Sequence, residues 1–158
     1  MSAISVDYIN PVITGLEDAF STMLNCKVER TGLGFEENNQ AIYPVSGIIG
    51  LSGKARGTLV LSMEESVALK AASTMLMTEM SIVDDDVMDA VGELTNMVCG
   101  TAKAKLAEYS LSMSLPNVIY GKECRLHFPQ GSHQILIPFK CEWGALALQV
   151  GFTFPTAK

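Results

Sequence analysis

The sequence predicts an α+β domain: a largely antiparallel sheet with long helices packed on one face. Three observations predict it. Two strand-like segments are joined by a short glycine turn, two helical patterns follow them, and four further strand-like segments close the chain. That order gives hairpins on the sheet and groups helices in the middle of the chain.

The elements follow in order. A first helix is expected over Asp7 to Leu24, where Val12, Leu16, Phe20 and Met23 recur at helical spacing. Pro11 falls in its first turns, where proline is tolerated with Asn10 as a cap, and Asn25 suits its end. Val28 to Thr31 reads as a short strand before a polar loop around Glu36 to Gln40. Ala41 to Leu51 and Arg56 to Met63 read as a hairpin turning at Gly53-Lys54. Ser62 and Glu65 have capping-box spacing, so a second helix is expected to start there and carry Val67, Leu69, Ala71, Ala72, Met75 and Leu76. A third helix begins near Ser81 to Asp86 and runs to about Tyr109, with Asp84, Asp85 and Asp86 complementing its N-terminal dipole. Leu111 to Tyr120, Glu123 to Phe128, Gln134 to Cys141 and Ala145 to Phe154 are rich in strand formers and are separated by Gly121, Gly131 and Trp143-Gly144. No linker splits the chain, so residues 1–158 are expected to form one domain.

Composition narrows the function classes. With 48% hydrophobic residues, a chain of this length can bury a core without metal or disulfide staples. A net charge of −6 and eleven scattered basic residues argue against nucleic-acid binding, which needs clustered Lys and Arg to meet phosphates. No apolar run approaches the roughly 20 residues that span a bilayer, and no secretory leader pattern opens the chain; a cytoplasmic protein without membrane insertion is expected. Cys26, Cys99, Cys124 and Cys141 show no paired short spacing and read as reduced packing residues.

The third helix carries the sharpest pattern. At about 100° per residue, Val87, Val91, Leu94, Val98, Ala102 and Leu106 share one apolar arc, while Asp89, Glu93, Asn96, Gly100 and Lys103 fall on the opposite side. An acid and a neutral amide thus stand one turn apart, facing solvent. Gly92 and Gly100 flank the pair although each costs about 1 kcal/mol of helix stability relative to Ala, and a missing side chain lets another surface approach the backbone. The blander account is a solvated face whose glycines relieve packing against a neighbouring helix.

Other constellations point to no chemistry. Three consecutive carboxylates at Asp84 to Asp86 radiate apart instead of converging on a metal. Gly47, Gly50, Gly53 and Lys54 lack Walker spacing, with Ile48 and Ala55 at the positions where that loop needs Gly and Ser or Thr. Cys124, His127, His133 and Cys141 have zinc-ligand chemistry, but Cys124 and His127 lie three apart in an expected strand and point to opposite faces. Met75, Met77, Met80 and Met88 around the inter-helix turn read as flexible core filling.

The order Asp89, Glu93, Asn96, then Gly100-Thr101-Ala102-Lys103 and a later Pro116 resembles the CheX/CheC/FliY family of chemotaxis phosphatases. The segments Asp7-Tyr8-Ile9-Asn10-Pro11, Ser46 to Gly53 and Gly57 to Ser62 resemble it too, so the likeness runs nearly end to end. In the first helix Glu17 is followed three residues later by Phe20, not Asn, so one site per chain is expected, as in the CheX branch.

The resemblance implies a CheC/CheX-like fold and a phosphatase acting on the aspartyl phosphate of a CheY-type response regulator. It implies that Asn96 orients the attacking water and that Glu93 pairs with the regulator's active-site Lys, with Asp89, Gly92, Gly100, Lys103 and Pro116 bordering the contact. No cofactor of its own is implied, since Mg²⁺ belongs to the regulator, and family members tend to form homodimers. Two rivals stand beside it: a docking module that binds the regulator without catalysis, and a scaffold of the flagellar-switch type.

Overall fold

The computed structural model describes residues 6–35 and 38–154, with side chains from Tyr8 onward. The Asp7 side chain, Glu36, Glu37 and the two chain ends lie outside the described residues. Helix α1 (Val6–Leu24) buries Val12, Leu16 and Phe20. It stops where Asn25 turns left-handed (φ 47°) and the N–H groups of Asn25 and Cys26 donate back to the Ser21 and Phe20 carbonyls. Strands β1 (Glu29–Arg30), β2 (Gly34–Phe35), β3 (Val45–Ser52) and β4 (Arg56–Met63) precede helices α2 (Glu65–Leu76) and α3 (Asp85–Lys105). A 3₁₀ turn at Ala107–Tyr109 leads into β5 (Ser112–Met113), β6 (Asn117–Tyr120), β7 (His133–Cys141) and β8 (Gly144–Thr153).

The strands make one sheet in the order β1-β7-β8-β4-β3-β5, with β2 also on β7 and β6 also on β3. Every pairing is antiparallel. Two hairpins form its centre. In β3–β4 the register runs from Val45↔Met63 to Ser52↔Arg56, and in β7–β8 from His133↔Phe152 to Cys141↔Gly144. Alternation then sends Val45, Ile49, Leu59, Leu61, Ile135, Ile137, Leu148 and Val150 into the main core, where they meet all three helices. The α+β class, the antiparallel sheet and the helices on one face are as expected from sequence.

The opposite face has its own small core, in which Ala41, Val60, Leu126 and Phe128 pack together with Ile48 and Cys124. This corrects one expectation. Glu123 to Phe128 is not a strand: Glu123 is left-handed (φ 57°), and the segment pairs only through the isolated bridge Gln40↔Arg125. Its alternating apolar residues are real, but they cover a sheet face instead of joining a sheet edge.

Three smaller corrections have local causes. Leu111 to Tyr120 breaks into β5 and β6 because Ser114 binds Gly50 from both sides, N–H to carbonyl at 2.9 Å and Oγ to N–H at 2.9 Å, before Pro116 interrupts the ladder. Ser62 caps no helix; it is a buried residue of β4 paired with Ala147, and the N-cap of α2 is Glu64, whose carboxylate accepts the Ala145 N–H instead. Met77 fills no core, because it forms the left-handed end of α2 (φ 54°) and is 91% exposed, whereas Met75 and Met80 pack against the main core.

Candidate functional site

Helix α3 is held at both ends by its own sequence. Asp84 Oδ1 accepts the Val87 N–H at 3.0 Å, Asp85 and Asp86 occupy the first turn, and Lys103 and Lys105 the last. Val87, Val91, Leu94, Val98, Ala102 and Leu106 are all buried, so the apolar arc read from sequence is the core-facing side. Ala90, Thr95 and Cys99 widen it.

Close contacts fix how the helix is rotated. A Cβ at Gly47 of β3 would lie 2.0 Å from Thr95 Oγ1, so the helix rests directly on the strand there. Thr95 is fully buried and satisfies its hydroxyl on the Val91 carbonyl at 2.7 Å. On another side a Cβ at Gly15 of α1 would lie 2.6 Å from the Val98 carbonyl oxygen. With Thr95 pinned inward, the next residue, Asn96, must emerge at the rim, and Glu93 one turn earlier emerges beside it. The sequence reading missed both contacts; the visible signal was Gly47 inside an otherwise β-rich strand.

The outer stripe consists of exposed Asp89, Glu93 and Lys103 with half-exposed Asn96 and Gly100. Nothing lies within 4 Å of a Cβ built at Gly100, so the backbone there is open to an approaching surface. Gly92 is different. It was expected to border a partner, yet it is buried, with Val118 Cγ2 3.2 Å and Pro116 Cγ 3.7 Å from a Cβ built there. Its glycine serves the seating of α3 against β6. Pro116 flanks the stripe and at the same time sets the start of β6.

Neither the Glu93 nor the Asn96 side chain is engaged by a hydrogen bond or ion pair among the described residues, in which the one salt bridge joins Lys140 and Glu29 at 3.9 Å. Both groups are therefore uncommitted. Cys99, one turn beyond Asn96, is not a nucleophile: burial pushes its thiol up to about 12, against a smaller opposing pull from Lys103. Clefts of about 400, 960, 380 and 390 Å³ indent the surface, and none is lined by a residue of the stripe. The largest is lined by Lys70, Met77, Met80 and Trp143 among others, near the α2–α3 turn. An acid and an amide on an exposed helix face, outside the four clefts above, suit contact with another macromolecule better than capture of a small substrate. Among the described residues, no group of three or more His, Cys, Asp or Glu side chains converges to hold a metal ion, and no helix is long and apolar enough to cross a membrane.

Comparison with known proteins places the chain in a family. Residues 45–140 match the family model described as chemotaxis phosphatase CheX. The CheY-P phosphatase CheX of Thermotoga maritima is 30% identical over 82 residues, a match covering 50% of this chain and about half (53%) of that relative. A CheC-like superfamily protein from Shewanella sp. PV-4 superposes with a TM-score of 0.86 at 32% identity, covering 95% of this chain and 99% of the other. The CheX of Borrelia burgdorferi, solved as a CheX-CheY-BeF3-Mg²⁺ complex, shares the fold with a TM-score of 0.77 at 24% identity over 94% of this chain and 99% of that one. The family match spans β3 to β7 and with them the helix that carries Glu93 and Asn96, and on that ground the chain belongs to the CheX family of chemotaxis phosphatases.

Proposed function

We propose that this protein hydrolyses the aspartyl phosphate of a CheY-type response regulator. The observation that carries the reading is the pairing of an uncommitted carboxylate and an uncommitted amide on one outward-facing stripe of α3. The substrate is an acyl phosphate beside the regulator's own Mg²⁺, so the catalyst need only deliver and orient a water. Asn96 accepts and donates hydrogen bonds without carrying charge, which suits holding that water in line with the phosphorus. The water oxygen bonds to phosphorus, the bond to the aspartyl oxygen breaks, and inorganic phosphate leaves a regenerated carboxylate.

Glu93 acts in registration, not as a base. It forms an ion pair with the regulator's active-site Lys, and partial desolvation on closure strengthens that pair and sets Asn96 in place. Asp89 and Lys103 border the contact, Gly100 admits it, and Pro116 flanks it. The protein brings no cofactor; the magnesium is the regulator's. Its site of action is then the cytoplasm, alongside the regulator. A homodimer is part of the proposal, on the strength of the family resemblance alone.

The test is direct. The purified protein is mixed with candidate receivers phosphorylated by a small acyl phosphate, and phosphate release is followed. The account expects substoichiometric protein to shorten the half-life of one receiver's phosphate. Binding with an unchanged half-life would instead establish the docking-module alternative.

A further inference from the structure

The loop between β5 and β6 rests on α3 through Pro116 and presents an exposed apolar side chain. Leu115 is 87% exposed, the second highest value among the large hydrophobic residues of the described chain. Its neighbours on both sides are fixed. Ser114 is tied to Gly50 by two hydrogen bonds of 2.9 Å, and its hydroxyl also reaches the Leu115 carbonyl at 3.1 Å. Pro116 restricts the Leu115 backbone to extended conformations and sets its ring about 3.7 Å from a Cβ built at Gly92, the residue before Glu93.

An isolated exposed leucine carries no message by itself. This one differs in being held on a hydrogen-bonded loop, where ordering it on binding costs little, and in preceding Pro116, whose ring lies against Gly92, the residue before Glu93. It contributes almost nothing to the fold, because it contacts little of it. We propose that Leu115 is an apolar anchor for the phosphorylated regulator, seating against aliphatic or aromatic side chains that border the regulator's acidic pocket. The inference rests on the docking assigned to the α3 stripe and extends it: charge from Glu93 registers the regulator, and Leu115 supplies the desolvated contact that holds it there.

The partner chemistry follows. Receivers with an exposed apolar patch beside the phosphorylation pocket are substrates, and receivers with charged residues there are poor ones. Binding to a beryllofluoride-activated receiver and steady-state hydrolysis are measured for the wild type, Leu115→Ser and Leu115→Met. The expected results are about tenfold weaker binding and a matching rise in KM for Leu115→Ser, with kcat within twofold and the thermal midpoint unchanged. Leu115→Met restores near-normal affinity. Unchanged affinity in Leu115→Ser, while the wild type binds and hydrolyses, overturns the anchor and leaves the α3 reading intact. A change in self-association without a change in receiver affinity assigns Leu115 to contact with a second copy and also overturns it. A wild type that binds no receiver removes the α3 reading and the anchor together.

Discussion

Gly47→Ala tests how helix α3 is seated. The new methyl group would lie 2.0 Å from Thr95 Oγ1, 2.8 Å from its Cβ and 3.1 Å from its Cγ2, so no rotation of the threonine relieves the overlap. Helix and strand must separate by about 1 Å to restore ordinary van der Waals distances. Overpacking of this kind costs about 1–3 kcal/mol, and because the backbone of β3 cannot yield within its ladder to β4, the upper half of that range is expected. For a domain of this size, about 2 kcal/mol lowers the thermal midpoint by about 4–8 °C. Displacing Asn96 by a similar distance should slow hydrolysis about a hundredfold. Thr95→Gly removes the obstructing side chain at a helix-propensity cost of about 0.3 kcal/mol plus lost packing. In the Gly47→Ala, Thr95→Gly double variant the two losses should fall short of additivity by at least about 1 kcal/mol in urea unfolding, with part of the hydrolysis recovered. Strict additivity would refute the claim that this contact helps to set the rotation of α3.

Further outcomes follow from the same geometry. Gly100→Ala should raise stability by about 0.5–1 kcal/mol, since nothing lies near its Cβ, yet weaken receiver binding in calorimetry if the partner approaches the backbone there. Glu93→Ala should weaken binding about tenfold or more, and the difference should shrink as salt rises, because the lost interaction is an ion pair that also steers the encounter. Burial holds the Cys99 and Cys26 thiols at about 12, from an ordinary value of 9.0. The unfolded chain therefore releases these protons first. Their contribution to stability is full below pH 9 and declines as pH rises from 9 toward 12, so Cys99→Ala should flatten the alkaline fall in urea midpoints.

What could be read from sequence differs by range. The α3 stripe was legible because the 3.6-residue period sorts Leu94 and Val98 inward and Glu93 outward without reference to any other segment. The β3–β4 hairpin and the separate strands β7 and β8 were legible from equally local signals, strand-forming residues bounded by glycine turns. Gly47 against Thr95 and Gly15 against Val98 were not, because each joins distant parts of the chain and a glycine's partner leaves no local trace. Glu123 to Phe128 misled because alternation marks a surface with one buried side, whether or not it pairs in a sheet. Gly92 misled in a related way: on the helix wheel it borders the outer stripe, and only the arrival of Pro116 and Val118 decides that it is covered. Ser62 and Glu65 satisfied the capping spacing, but β4 continues to Met63 and keeps the serine in the sheet.

The central claim is that one amide on the rim of α3 orients the hydrolytic water, and Asn96→Ala tests it most directly. Single-turnover decay of the phosphorylated receiver is measured beside affinity for its beryllofluoride form. The account predicts affinity within about twofold of wild type and acceleration reduced at least a hundredfold. Decay as fast as with the wild-type protein would contradict it.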